Sequence, residues 1–94
     1  MATYRVIAWK GIPASVEAQD GVESATVELS ERFQMLIDSV AMQRGLHGSD
    51  EYLDSWVRGE PLARAGAARE VADAVAAELE GRFAEFASRA FTIA

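Results

Sequence analysis

His47 is the sequence's one side chain that ordinarily titrates near neutral pH, and it lies in a glycine-flanked loop with Asp50 and Glu51. Acid–base or metal chemistry at His47 needs partners delivered from elsewhere in the fold, so it reads as a solvated loop residue. Asp73, Glu78, Glu80 and Glu85 gather near the C-terminus, interleaved with Arg82 and Arg89. Paired carboxylates act as acid and base only where one of them loses its water, and this alternation reads instead as an ion-paired solvent face. The chain has no cysteine, which excludes disulfides, thiolate metal sites and a thiol nucleophile. No G-x-S-x-G elbow, G-x-G-x-x-G turn or phosphate loop occurs. No catalytic, cofactor-binding or metal-ligating residue is therefore assigned, and neither enzyme activity nor a cofactor is expected.

Fifteen acidic residues against nine basic give a net charge of -6, the wrong sign for holding a phosphate backbone. Eight of the nine basic residues are scattered arginines, Lys10 being the exception, so no nucleic-acid partner is expected. No signal-peptide core, membrane-length apolar run or lipidation motif occurs, and the expected location is the cytoplasm.

The large side chains are more informative. Tyr4, Trp9, Phe33, Met42, Tyr52, Trp56, Phe83, Phe86 and Phe91 must all be accommodated in 94 residues. A domain of that size buries roughly 60–65% of its unfolded surface, so some of these groups are expected to form an exposed patch for a partner. Trp9 stands at a strand end, held by Lys10-Gly11-Ile12-Pro13. Together with Arg32, Tyr52 and Trp56, the residues Trp9, Lys10, Ile12 and Pro13 are the interaction candidates. Arg32, near aromatic residues, has the fork geometry to clamp a carboxylate or phosphate. A small-molecule pocket between sheet and helices would draw on Arg5, Arg32, Tyr52 and Trp56.

The elements that must position these groups follow from periodicity. Residues 3–10, 14–19 and 24–29 alternate apolar and polar with β-branched enrichment, and Asp20-Gly21 marks a turn. They predict a three-stranded antiparallel meander whose first strand is an edge, dimer-paired or capped by the Phe91–Ala94 tail. Phe33, Leu36, Ile37, Val40 and Ala41 recur at helical spacing after Ser30, a plausible N-cap, and predict a helix over 31–44. Ser49 or Asp50 starts a short helix over 50–58, with Tyr52, Leu53, Trp56 and Val57 inward and Gly59 as its stop. Val71, Ala72, Val75, Ala76, Leu79, Phe83 and Phe86 predict one alanine-rich helix over 67–88, weakened at Gly81 by about 1 kcal/mol. The expected fold is a single α+β domain over 1–94, three helices on one face of the sheet.

Three segments carry a family resemblance. Ile7-Ala8-Trp9-Lys10-Gly11-Ile12-Pro13-Ala14 resembles the W-[RK]-x-I-P-A opening of small bacterial proteins of the virulence factor family. Glu28-Leu29-Ser30-Glu31-Arg32-Phe33-Gln34 and Gly48-Ser49-Asp50-Glu51-Tyr52-Leu53, with Trp56, resemble two further family segments. The sequence departs from the family's pattern at Gly11, at Ser30 and over Val22-Glu23-Ser24, where family members carry acidic, proline and basic residues respectively. The resemblance implies a small cytoplasmic accessory protein. The aromatic-rich composition without a catalytic constellation points to a non-catalytic interaction module with a protein partner or a second copy, a dimer. The alternative is a small-molecule binder or, as the resemblance implies, an accessory subunit of a folate- or corrinoid-linked one-carbon enzyme system.

Overall fold

The computed structural model describes residues 1–46 and 48–92. The expectations placed on His47 and on the end of the tail at Ile93 and Ala94 lie outside the described residues. β1 (Ala2–Trp9) and β2 (Ile12–Gln19) form a hairpin closed by Lys10 and Gly11, both at positive φ (47° and 85°). Two consecutive positive φ angles match the right-handed twist of the strands they join, and glycine adopts one of them without a Cβ clash. β2 therefore begins two residues earlier than the alternation suggests and includes Pro13. The register slips between Ile7 and Ala8, which puts Pro13 opposite Ala8 at a bulge, where a residue without an N–H fits a sheet.

β3 (Ser24–Glu28) pairs antiparallel with β2 through a turn whose Asp20 carboxylate accepts from the Val22 and Glu23 N–H groups, each at 2.9 Å. α1 (Glu31–Gln43) buries Phe33, Leu36, Ile37, Val40 and Ala41, as its spacing predicts. Gly45, at φ 70°, then closes it with bonds from Gly45 N–H to the Met42 carbonyl and from Leu46 N–H to the Ala41 carbonyl. α2 (Asp50–Asp54) is capped by Ser49, whose hydroxyl oxygen accepts from Tyr52 N–H at 3.2 Å.

Beyond α2 the chain departs from expectation. The helix predicted over 50–58 stops at Asp54, and Trp56–Arg58 forms β4, which pairs with the Ile7–Trp9 half of β1. Leu62–Arg64 forms β5 against the Ala2–Tyr4 half of the same strand. Gly59 is no helix stop. It links β4 to β5, its N–H donates to the Val6 carbonyl at 2.9 Å, and an added Cβ would lie 3.0 Å from that oxygen. The sheet order is β3-β2-β1-β4, with β5 beside β4 on β1, so β1 is a central strand. Its second edge, expected to await a second copy or the tail, is taken by β4 and β5 of the same chain. Three-residue strands are too short to show a period, which is why their pairing does not register as alternation.

The long C-terminal helix is also two helices, α3 (Ala68–Glu80) and α4 (Phe83–Thr92), broken at Gly81-Arg82. The break turns α4 so that Phe83 and Phe86 meet Phe33 of α1 edge-on, ring centroids 5.0 and 6.1 Å apart. Among the described residues the fold thus has five strands and four helices, not three and three, and remains α+β with an antiparallel sheet. α3 packs against β1, β2 and β3, its Val75 and Leu79 beside Tyr4 and Val6. The opposite sheet face carries Thr3, Arg5, Glu17, Gln19, Thr26 and Arg58 around an open depression.

Candidate functional site

The hairpin tip and α2 together place the aromatic candidates. Trp9 is completely buried, and its indole Nε1–H donates to the Tyr52 carbonyl at 2.8 Å. That bond satisfies the one polar atom of a ring otherwise enclosed by hydrocarbon. Tyr52 stands between the two tryptophans, 5.4 Å from the Trp9 ring and 6.4 Å, edge-on, from Trp56. Trp56 pairs with Trp9 across β1 and β4 and is half-buried. Ile12 and Pro13 are buried too, and Lys10 is exposed at the tip, its Nζ 5.9 Å from the Trp9 ring centre. The corner expected to dock through Trp9, Ile12 and Pro13 is therefore core. Closing β4 onto β1 and seating α2 over the hairpin end enclose it, leaving Lys10, Tyr52 and Trp56 with any solvent access.

Arg32 lies elsewhere, where α1 begins and α3 ends. Its Nε and Nη2 donate to Glu80 Oε1 at 3.3 and 3.1 Å, and Nη2 donates to the Glu80 carbonyl at 2.6 Å. The guanidinium lies 4.5 Å from the Phe83 ring centre and 5.8 Å from that of Phe33. The carboxylate that Arg32 clamps is thus internal. Ser30 also turns toward Glu80: its N–H and its hydroxyl both donate to that carboxylate, so it serves as a donor there and not as a side-chain cap. Burial pushes the Glu80 carboxyl up, but the Ser30 N–H, the Ser30 hydroxyl and Arg32 together outweigh it and hold the group below its ordinary value. A carboxylate at the start of α1 also meets the positive end of the helix dipole.

α3 is started in the same way by a remote acid. Ala67 occupies its N-cap position and has no side-chain acceptor, and Asp20 Oδ2 of the β2–β3 turn accepts from Ala68 N–H at 2.9 Å. Backbone N–H donors from Glu23, Ala68 and Val22 hold the Asp20 carboxyl at about 2. Sequence reasoning missed Asp20 and Glu80 as fasteners. Asp20 carried only a turn signal and Glu80 only a place on a charged helix face. The other carboxylates of that face behave as expected: Arg82 pairs with Glu85, Arg69 with Asp73, and Glu78 with Arg64 of β5.

Arg5, Arg32, Tyr52 and Trp56 do not share a pocket. Arg5 lies on the open sheet face, where Nη1 donates to the Gly59 carbonyl at 3.3 Å, and Arg32 is at the helix junction. Among the described residues no three His, Asp or Glu side chains converge as a metal ion needs, and no helix is long and apolar enough to cross a membrane. What does stand open is apolar. Val57 and Leu62, on β4 and β5, are 56% and 50% exposed, and Leu53 of α2 is 66% exposed. Leu62 borders a groove with Tyr4, Val6, Val75, Leu79 and Arg82 between the sheet edge and the end of α3. The helical spacing that placed Leu53 and Val57 inward is overturned, because α2 ends at Asp54 and residues 56–58 are strand, and Leu62 belongs to a strand the sequence does not announce. The family described as virulence factor matches residues 7–88 of the chain. No curated protein and no solved structure matches it.

Proposed function

The chain belongs to the virulence factor family, and from that premise we propose that it is a small non-catalytic accessory module that acts by holding another protein. One contrast carries the reading. Trp9, Ile12 and Pro13 are enclosed in the core and Arg32 is paired internally, whereas Leu62 remains half exposed at the Tyr4–Leu79 groove and Val57, on the neighbouring strand of the same sheet edge, is exposed as well. Exposed apolar side chains grouped at a groove with a charged rim are the usual makings of a protein-binding surface. Ion pairs at that rim, Arg64 with Glu78 and Arg82 with Glu85, supply polar contacts around the apolar centre. Leu53, Tyr52, Trp56 and Lys10 lie at the other, hairpin end of β1 and offer further contacts there. Trp9, Ile12 and Pro13 contribute by holding Lys10 and Tyr52 in place.

The test is selective capture. Tagged protein incubated with lysate of the native host is expected to retain a partner, and Val57→Glu with Leu62→Glu to lose it. Met35→Glu, on the exposed side of α1, is expected to retain it. Capture indifferent to the double substitution, or no retained protein with the wild-type chain, overturns the reading.

A further inference from the structure

The two edges of the sheet are built differently. The β4–β5 edge is interrupted by Gly59-Glu60-Pro61 and its strands are three residues each, devices that prevent continuous pairing with another chain. β3 is an uninterrupted five-residue end strand with no proline and no lysine. Its hydrogen-bond phase is fixed from both ends. Asp20 N–H donates to the Glu23 carbonyl at 3.1 Å and Leu29 N–H to the Ala14 carbonyl at 2.9 Å, both in the register that pairs Ala18 with Ala25 and Val16 with Val27. Antiparallel ladders alternate, so Ala25 and Val27 bond to β2 while the N–H and C=O groups of Ser24, Thr26 and Glu28 point away from it.

We propose that this edge recognises a second copy of the chain, two sheets joining antiparallel through Ser24–Glu28 about a two-fold axis at Thr26. The phase decides the register. With Thr26 opposite its counterpart, Ser24 faces Glu28 of the second copy, and all three outward residues fall into hydrogen-bonded pairs. On the helix-covered face Ala25 meets Val27 of the second copy, which continues the apolar layer. A serine hydroxyl donates to a carboxylate at each end, and no like charges are opposed. The self-complementarity favours a copy of this chain over an unrelated strand, because every group on the edge finds its match across the axis. Five paired residues make a small interface, so association is expected to be weak, with a dissociation constant in the micromolar range or above. This inference stands apart from the accessory-module reading, which concerns the opposite edge.

Sedimentation across a concentration range, with amide exchange followed residue by residue, tests it. The amides of Ser24, Thr26 and Glu28 are expected to gain protection as concentration rises, while those of Ala25 and Val27 stay protected throughout. Thr26→Pro removes an N–H that β2 does not use and is expected to leave the thermal melt cooperative and the protein monomeric. If that variant is poorly folded, Thr26→Lys, which sets two cations face to face on the axis, is expected to give the same monomer. Ser24→Lys places a cation opposite Glu28 twice per dimer and is expected to tighten association severalfold. A wild-type protein monomeric at millimolar concentration, or a dimer that both Thr26 variants leave intact, overturns the proposal. So does concentration-independent exchange at Ser24, Thr26 and Glu28, the pattern expected if the edge serves only a different protein.

Discussion

The aromatic corner and the helix junction each fasten pieces of chain more than forty residues apart, by opposite means. At the corner, Trp9 reaches Tyr52 through a ring contact and one indole hydrogen bond, with water fully excluded from Trp9. At the junction, Glu80 gathers Ser30 and Arg32 by charge-assisted hydrogen bonds, with the Arg32 side chain still 50% exposed. Apolar burial is insensitive to salt and pH, and each buried ring touches many neighbours. Half-exposed ion pairs contribute little and respond to both salt and acid. The corner is therefore expected to set how stable the fold is, and the junction to set where α1 and α3 sit relative to each other.

That division can be broken most directly at Trp9. Trp9→Ala is expected to lower the unfolding free energy by about 3–5 kcal/mol, read by urea titration and nearly unchanged by added salt. A loss below about 1 kcal/mol would place the anchor of the fold elsewhere. Glu80→Ala should cost about 1–2 kcal/mol at low salt, since it strips charge-assisted partners from Ser30 and Arg32, and visibly less in 1 M salt. An equal cost at both salt concentrations would mean that packing, not charge, holds the junction.

Asp20 sharpens the same contrast through pH. Its folded pKa of about 2 lies below an unfolded value of about 3.9, so its contribution is complete above pH 4 and disappears as the pH falls through 2. Asp20→Asn should flatten the pH dependence of the melting temperature in that window and lower it by a few degrees at neutral pH. An unaltered acid limb would show that another carboxylate governs it. The smallest effect is expected at the hairpin tip. Lys10→Asn, at φ 47°, should stabilise by about 0.5 kcal/mol, because asparagine tolerates the left-handed region better than lysine does. A loss of stability there would mean that the Lys10 contact with the Trp9 ring outweighs backbone strain.

How far the sequence could be read depended on range. α1 was legible to its ends, because Phe33 through Ala41 repeat at helical spacing and Gly45 closes the last turn locally. The first three strands were legible as elements, with Pro13 left outside β2 because its place at a bulge depends on the neighbouring strand. β4 and β5 were not legible, because three residues carry no period and Trp56-Val57 fits a helix stripe as well as a strand. The candidate site suffered most. Trp9 and Arg32 stand out in the sequence as large or chemically capable, but each is occupied inside the chain, by Tyr52 and Glu80 respectively. Val57 and Leu62 were never candidates, since their exposure depends on where β4 and β5 lie.

The sequence alone determined the chemistry this protein lacks the side chains for, the α+β class, the faces of its regular elements and the residues able to turn at positive φ. Each of these follows from residue type or from spacing within a few positions, where steric limits and periodicity act. Only the tertiary structure decided which edges are covered, which acid starts which helix, and which tryptophan is core. Those outcomes depend on contacts between residues such as Asp20 and Ala68 or Trp9 and Tyr52, and a period specifies a face without specifying what packs on it.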